Sequence, residues 1–564
     1  MPELSLRPRL IADFKTTLTR DPSTGELVQS LTALQRSGMS KDELRILIER
    51  VRAANSASKD DEVLDETCSD ALMILDGAPG GLDWSPERQA GDAVSRLLEG
   101  LGLDTSLPDA LLPSDLLPLT AERDSLGPED VSRFASVLSE TIRHFDYAPR
   151  PAYFVRAPKS AFTTRPAAVM DAADRVVFES LAGMIRGPLE ASLPGSVLWP
   201  RQGADRDEAY AAFQTEPSTW KGTHSASADI ESFYEYVDHA ILARIAKSFL
   251  GADTTLCLAI EKFLDAIMDS NRGLPQGPAA SDTFASLYLL PLDEALATSE
   301  WEYVRYQDDF NLAGSSYEGA REVLRQLETA LREIGLRLSP TKTTILTRET
   351  VLERASRVEV SPYSSSADES VGPVSHDDIL NAIENLTSER SDSGQYRELR
   401  VLLDNAPASV FNEIPLNALG KALEWFPRLA ESIAKLLASR RSLTPVEVDD
   451  FIFGRVAAAP YSDWENAWLC SAFDDGPQLS EDSVQILRGL SRDANMPNMT
   501  RYVCVRVLWK RSAITLEEMK GLLSSLPQAF HADLLLDLGP TVWGAHAEPR
   551  SAEVVGVPGW RMLL

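Results

Sequence analysis

Glu302-Tyr-Val-Arg-Tyr-Gln-Asp-Asp-Phe-Asn-Leu-Ala-Gly314 is the stretch that decides the fold. Val304 and Tyr306 alternate, Gln307-Asp308-Asp309 interrupt, and Phe310 and Leu312 resume the alternation. Period-two spacing on both sides of a short polar break predicts a strand, a tight acidic turn and a second strand. Two adjacent carboxylates at a hairpin tip repel each other, and a divalent cation makes such a pair tolerable. Taken alone, the pair fits a solvated hairpin better than a metal site. Upstream, in SASADIESFYEYVDHAIL from Ser225, a short strand ends at Asp229. Val237, Ile241 and Ile245 then step by four, which predicts a helix. A carboxylate at that strand end, set beside the hairpin tip, completes a candidate site of hard oxygen ligands, the kind magnesium prefers.

Three further motifs lie around this core. Gly273-Leu-Pro-Gln-Gly-Pro278 reads as a tight turn leading into a helix with Phe284 and Leu287 on one face. Leu324, Leu327, Leu331 and Ile334 mark a helix that stops at Gly335, and GLRLSPTKT follows with Lys342. Between Arg150 and Arg175 the bases are Arg150, Arg156, Lys159, Arg165 and Arg175, against only Asp171 and Asp174. This is a locally basic segment in a chain whose net charge is -30. An acidic surface repels phosphates, so a long nonspecific nucleic-acid footprint is disfavoured, while a locally basic groove remains compatible with binding.

The order D-I-x-x-F-Y, G-L-P-Q-G-P-x-x-S, Y-x-D-D, running from Asp229 to Asp309, resembles the palm motifs of the reverse transcriptase family. The resemblance implies an α+β right-hand polymerase fold, with fingers above an antiparallel palm sheet. It implies that Asp229 and Asp308 are metal ligands, that Ile230 offers its backbone carbonyl, and that Asp309 is the second acid of the pair. Two Mg²⁺ ions, with Mn²⁺ as an alternative, would activate a 3′-hydroxyl and stabilise the leaving pyrophosphate. Tyr234 matches the steric gate, whose ring clashes with a ribose 2′-hydroxyl and favours deoxynucleotides; the plain alternative is a core aromatic. Gln276 and its turn would contact the incoming nucleotide or template, with Ser281 near the primer, or form a structural loop. In YFVRAPKSAFTTRPAAVMDAADRVV, Lys159 and Arg165 match the fingers residues that grip the triphosphate, an arginine binding two oxygens at once. Surface charge is the alternative there. Lys342 falls on the next palm motif, either as a proton donor near pyrophosphate or as a surface lysine.

The 564 residues are too many for one core and suggest about three domains. Residues 1–125 read as a helical N-terminal region, including KDELRILIERVRAA from Lys41. Residues 126–355 carry the fingers and palm motifs. Ser, Pro and acid enrichment in VEVSPYSSSADESVGP marks a linker at 356–374. Beyond it, residues 375–564 read as all-helical and repeating. Helix-start signals occur at Ser375, Ser409, Thr444, Ser480 and Thr515, in steps of 34, 35, 36 and 35 residues. Thr444-x-x-Glu447 and Thr515-x-x-Glu518 are complete capping boxes in sequence. That period suits stacked, HEAT-like helical hairpins. The four cysteines are far apart and the six histidines scattered, which fits a reduced, cytoplasmic protein without structural zinc. Neither a signal peptide nor a membrane span is legible.

Within the family, YQDD disfavours the RNA-dependent RNA polymerases, and no maturase, HNH, retron or RNase H signature is present. The chain most resembles the bacterial abortive-infection, phage-defence enzymes. The resemblance rests on F-Y-x-x-V-D-H with His239, on G-P-x-x-S followed by Leu292-Asp293, and on the helical region directly after the palm. That group implies untemplated DNA synthesis from deoxynucleoside triphosphates, primed by a protein hydroxyl so that the DNA product is attached to the chain, and homo-oligomers. Tyr363, Tyr396 and Tyr461 are candidate priming residues. A templated enzyme using an associated noncoding RNA is the second hypothesis. A polymerase-derived scaffold, working through its helical repeats, is the third.

Overall fold

The computed structural model describes residues 7–18, 41–55, 94–107, 128–144, 147–159, 163–201, 204–251, 254–268, 270–299, 301–360, 374–386, 393–460, 462–527 and 529–530, with scattered positions at 27–34 and 67–72 and residue 117. Helices α1 (Arg7–Leu18) and α2 (Lys41–Asn55) lie in the expected N-terminal region. Leu44, Ile48 and Val51 recur at helical spacing on α2 and join Phe14, Leu18 and Cys68 in a small core of their own. Helix α3 (Pro128–Arg143) opens on a proline, whose fixed φ suits the first helical turn. Its Phe134, Leu138 and Ile142 enter the main core.

The basic segment forms an antiparallel hairpin of β1 (Tyr153–Pro158) and β2 (Thr164–Val169), closed by the Lys159 amide donating to the Thr163 carbonyl at 2.8 Å. Helix α4 (Ala172–Ser192) starts at Asp171, whose carboxylate accepts from the Ala173 amide. Strand β3 (Val197–Trp199) and helix α5 (Arg206–Thr215) lead to β4 (His224–Asp229). Helices α6 (His239–Leu250), α7 (Thr254–Ile267) and α8 (Ala280–Ala297) then precede β5 (Tyr303–Tyr306) and β6 (Asp309–Gly314). Helix α9 (Tyr317–Glu333), β7 (Thr344–Thr347) and α10 (Arg348–Val360) complete this part. Val237, read as the first turn of a helix, precedes α6; Asp238 caps that helix by accepting from the Ile241 amide and fixes its start at His239. Helix α10 runs past the expected linker start at 356, and the Ser/Pro-rich stretch itself lies outside the described residues.

The strands form one sheet in the order β3-β5-β6-β4-β7. Pairs β4/β6, β4/β7 and β5/β6 are antiparallel, as expected. The edge pair β3/β5 is parallel, which corrects the all-antiparallel expectation. The chain leaves β3 and returns to β5 by way of α5, β4, a short helix at Phe233–Tyr236 and helices α6, α7 and α8, and only such a long crossover brings a strand back parallel. Both faces of the sheet are covered. Tyr303, Phe310 and Leu312 join the main core, where Phe178 stacks on Phe263 at 5.7 Å and on Phe284 at 5.2 Å. Val304 and Tyr306 pack on the opposite face with Phe213 and Trp220. Each fully buried aromatic contributes about 1.5–3 kcal/mol of transfer free energy.

Double coverage makes β5 buried along its whole length, Arg305 included. Its guanidinium donates to both carboxylate oxygens of Asp293 on α8, at 2.9 and 2.6 Å, and to the Gln307 carbonyl at 2.7 Å. Burial pushes the Asp293 carboxyl up, and Arg305 pulls it back. This pair locks the catalytic-hairpin candidate to α8.

After position 374 every described element is helical: α11 (His376–Leu386), α12 (Ser393–Asp404), α13 (Ala408–Glu413), α14 (Leu416–Trp425), a 3₁₀ turn at Pro427–Leu429, α15 (Ala430–Arg440), α16 (Pro445–Ala458), α17 (Asp463–Ser471), α18 (Glu481–Arg492), α19 (Asn498–Lys510) and α20 (Leu516–Leu523). Helix α15 packs on α17 and α17 on α19. Ser480 and Thr515 cap α18 and α20 as read. Ser375 and Asp378 exchange both bonds of a capping box. Two readings fail. Ser409 sits inside α13, whose cap position is Pro407. Thr444 is the cap residue of α16, but its buried hydroxyl bonds to nothing; Pro445 at the first helical position already sets the required φ. These helices fold back on the hairpin: α17 packs on β1, and Tyr153 meets Phe530 with ring centroids 5.1 Å apart.

Removing one partner of a buried ion pair leaves an uncompensated charge. Asp293→Ala is therefore expected to cost about 3–5 kcal/mol, read as a lower urea midpoint. The double variant Asp293→Leu/Arg305→Met should recover most of that loss. A single variant within experimental error of the parent would remove the pair from any structural role.

Candidate active site

The register of β4 against β6 builds the site. Asp229, last in β4, stands directly opposite Asp309, first in β6. Gln307 takes a left-handed backbone, φ 52°, and turns the chain so that Asp308 occupies the tip. The Ile230 amide donates to the Asp308 carbonyl at 3.1 Å and pins the tip to the strand end. As a result a carboxylate oxygen from each of Asp229, Asp308 and Asp309 lies within 4.8 Å of the others. Ile230 follows Asp229 in a bridge to Leu338, its side chain buried.

The proximity of the carboxylates raises the cost of ionising Asp308 and Asp309. Burial pushes Asp308 up, and Asp229 pushes it further. Asp309 is pushed up to about 7, first by burial and then by Asp308 and Asp229. Lys342 answers part of this charge. Its ammonium contacts the Asp229 carboxylate at 2.5 Å. Burial alone would lower the lysine, but the bond to Asp229 and the fields of Asp309 and Asp308 raise it. Lys342 is exposed at the surface and pairs with Asp229, so both readings left open for it remain compatible with its place. The donor set is all oxygen and the carboxylates converge, so Asp229, Asp308 and Asp309 fit a divalent metal ion.

Around the triad, Lys159 lies close enough to Asp308 to oppose its shift, although the side chain is exposed. Arg165, half-buried on β2, also feels Asp308. Tyr234 follows the left-handed residue Ser232 and donates its hydroxyl to Asp282 at 2.6 Å. Burial, then Asp282, pushes the phenol well above its ordinary range. Asp282, which the motif reading did not single out, is itself raised by burial, while the Tyr234 hydroxyl and the nearby Arg206 pull it back.

The Gly273–Pro278 loop is strapped to the same place. The Gly273 amide donates to Val237 and the Leu274 amide to Tyr234, both at 2.7 Å. Gly273 at φ 97° and Gly277 at φ 127° take backbone shapes that side chains resist. The Gln276 carbonyl accepts from Ala168 of β2 at 3.0 Å, so the loop joins fingers to palm through its backbone. Ser281 departs from its expected place: it is fully buried, and its hydroxyl donates to the Pro275 carbonyl at 2.6 Å. Its hydroxyl thereby shapes the loop. His239 is buried between the Asp265 carboxylate and the Gly273 carbonyl, each 2.8 Å from a ring nitrogen, and so supports the loop from behind.

The raised carboxyl of Asp309 has a pH signature. Without a divalent ion it holds its proton up to about pH 7, whereas an unfolded aspartate releases it near about 3.9. Between those values the folded state binds more protons, so this group's contribution to stability is full at low pH and falls as pH rises toward 7. A bound cation needs the ionised form. The gain in thermal midpoint on adding a divalent cation is therefore expected to be larger at pH 8 than at pH 5.5, and Asp309→Asn should shrink the difference. Equal gains at both pH values would contradict the assignment.

Comparison with known proteins agrees with this geometry. Residues 158–386 match the family described as reverse transcriptase (RNA-dependent DNA polymerase), a span that contains the triad, Lys159, Arg165, Tyr234, Gln276 and Lys342. No curated protein matches the sequence significantly. Among solved structures, apo telomerase from Candida tropicalis aligns at 10% identity over 86% of this chain and 91% of that one, with a TM-score of 0.27, too slight a likeness to bear on fold or function. The matched span and the carboxylates it brings together identify a reverse transcriptase domain, and the chain is an RNA-directed DNA polymerase type of nucleotidyltransferase.

Proposed function

We propose that this chain is a DNA polymerase of bacterial antiphage defence that extends a protein hydroxyl without a template. The observation that carries the polymerase reading is the convergence of Asp229, Asp308 and Asp309 inside the matched domain. Two Mg²⁺ ions at these carboxylates and the Ile230 carbonyl, when bound, supply activation of the 3′-hydroxyl and neutralisation of the leaving pyrophosphate. Lys159 and Arg165 bind the triphosphate. Tyr234, pinned by Asp282, presents the ring that rejects a 2′-hydroxyl, and Gln276 borders the nucleotide. Lys342, paired with Asp229, is placed to give a proton to the departing pyrophosphate.

The defence assignment rests on the abortive-infection pattern of motifs and on the helical region that follows the palm. We divide the chain into an N-terminal helical region (1–125), fingers and palm (126–355), a linker (356–374) and HEAT-like repeats (375–564). The repeats would shape the product path or mediate homo-oligomers. An acidic chain, net charge -30, suits an enzyme that need not grip a long duplex. Of the three priming candidates, Tyr396 is described, while Tyr363 and Tyr461 lie outside the described residues. No helix among the described residues is long and apolar enough to cross a membrane, in keeping with a cytoplasmic setting. A second reading, RNA-templated synthesis on an associated noncoding RNA, is favoured by the matched family's description as RNA-dependent.

Incubation of the purified protein with Mg²⁺ and labelled deoxynucleotides, without template or primer, separates these readings. Product that vanishes in Asp308→Asn and shifts on protease treatment is the expected result. Extension only when an RNA template and primer are added would favour the second reading. Tyr234→Val is expected to raise ribonucleotide use relative to deoxynucleotide by about 10–100-fold, the scale of one steric contact. Unchanged selectivity would remove Tyr234 from the gate role.

A further inference from the structure

Arg165 has an unusual set of neighbours. It stands on β2 within electrostatic range of Asp308, and also of Arg428 in the 3₁₀ turn after α14 and Arg206 at the start of α5. Among the described residues, none of these three arginines forms a salt bridge. Several other arginines do pair with an acid: Arg150 with Asp171, Arg186 with Glu179 and Arg400 with Asp404. A chain of net charge -30 has acids to spare. It nevertheless sets Arg428 and Arg206 within range of Arg165, and Arg165 and Lys159 within range of Asp308, although Arg206 also has Asp282 and Asp207 beside it. Like charges drawn together call for an anion between them.

Arg428 is also held in place. Its guanidinium lies over the Tyr396 ring, 5.0 Å from the centroid, and Tyr396 stacks on Phe426 at 5.6 Å. An arginine set on an aromatic face keeps its N–H edge available for oxygen acceptors. The Tyr396 hydroxyl is buried without a hydrogen-bond partner and lies within range of Arg165 and Arg400. A buried orphan hydroxyl costs free energy, which a phosphate oxygen drawn into the cluster would relieve. The 3₁₀ turn that carries Arg428 packs against β1, so the C-terminal helices and the fingers hairpin form one wall.

We propose that Arg428, supplied by the C-terminal helices, completes the nucleotide site: with Arg165 it grips the triphosphate of the incoming deoxynucleotide, and Tyr396 positions it. A triphosphate is favoured over a nucleic-acid backbone because Arg165, the neighbour of Arg428, also lies within range of Asp308, where the polymerase reading puts the reacting phosphate. The proposal rests on the polymerase reading above. It adds that the C-terminal region is a working wall of the site, not an appendage behind it.

Direct binding of dATP and, separately, of deoxyadenosine to the full chain tests this, using Arg428→Gln, Arg428→Lys and Tyr396→Phe. Arg321→Gln, on an exposed part of α9, serves as a control. Arg428→Gln is expected to weaken dATP binding about tenfold, the scale of one charge-assisted contact, and to raise KM with kcat nearly unchanged. Deoxyadenosine binding should not move, and lysine should restore part of the loss. A dATP affinity within twofold of the parent, in a variant with the parent's melting midpoint, would overturn the proposal. So would a loss confined to a single-stranded DNA or RNA oligonucleotide, which would place Arg428 on the strand path. A parent protein that binds dATP through Arg428 yet incorporates nothing would support the proposal and defeat the polymerase reading instead.

Discussion

The repulsion among three carboxylates is the constraint around which this molecule is organised. Asp229 and Asp309 are forced opposite each other by strand register, and the left-handed turn at Gln307 adds Asp308. Nothing local favours that arrangement, since burial and mutual charge raise both acids of the pair. It persists because the surrounding structure over-determines it. Arg305 and Asp293 lock the hairpin to α8, Asp282 of α8 holds the Tyr234 hydroxyl, and Lys342 neutralises part of the charge. A divalent cation held by the three carboxylates would relieve that electrostatic cost.

The same logic explains how a strongly acidic chain handles phosphates. Among the described residues, Lys159 and Arg165 lie within electrostatic range of Asp308, and Arg206 and Arg428 within range of Arg165. Lys159, Arg165, Arg206 and Arg428 come from segments far apart in sequence. Each is held differently: a strand hairpin for the first two, the first turn of a helix for Arg206, and an aromatic face for Arg428. Local clustering of this kind binds a compact polyanion while the remaining surface repels long ones.

Conformation at the loop before α8 belongs to this design as well. Gln276 meets β2 through its backbone, Ser281 turns inward, and His239 braces Gly273. The fingers hairpin is thus fastened to the palm on one side by this loop and on the other by α17 and the 3₁₀ turn. A hairpin clamped on both sides holds Lys159 and Arg165 at a fixed height above the carboxylates.

The chain's sequence alone determined the strand–turn–strand of the acidic hairpin, the strand ending at Asp229 and the helix ending at Gly335, because period-two and period-four patterns and turn residues act locally. The three carboxylates were legible for the same reason: chemistry that needs adjacent acids writes them side by side, and the motif order supplies the third. Tertiary structure decided what depends on distant partners. The parallel edge strand β3 follows from a long crossover that no local pattern encodes. Ser281 and Ser409 carry side chains whose placement depends on the fold around them, and each departed from its expected role. Thr444 lost its capping bond although its sequence signature was complete. Asp293 was visible only as part of a motif; its buried partner Arg305 was not, since a charged residue in a strand reads as solvent-facing until both faces of the sheet are known to be covered. Arg206, Asp282 and Arg428 gave no signal in sequence, because single charged residues acquire meaning only through the neighbours that packing gives them.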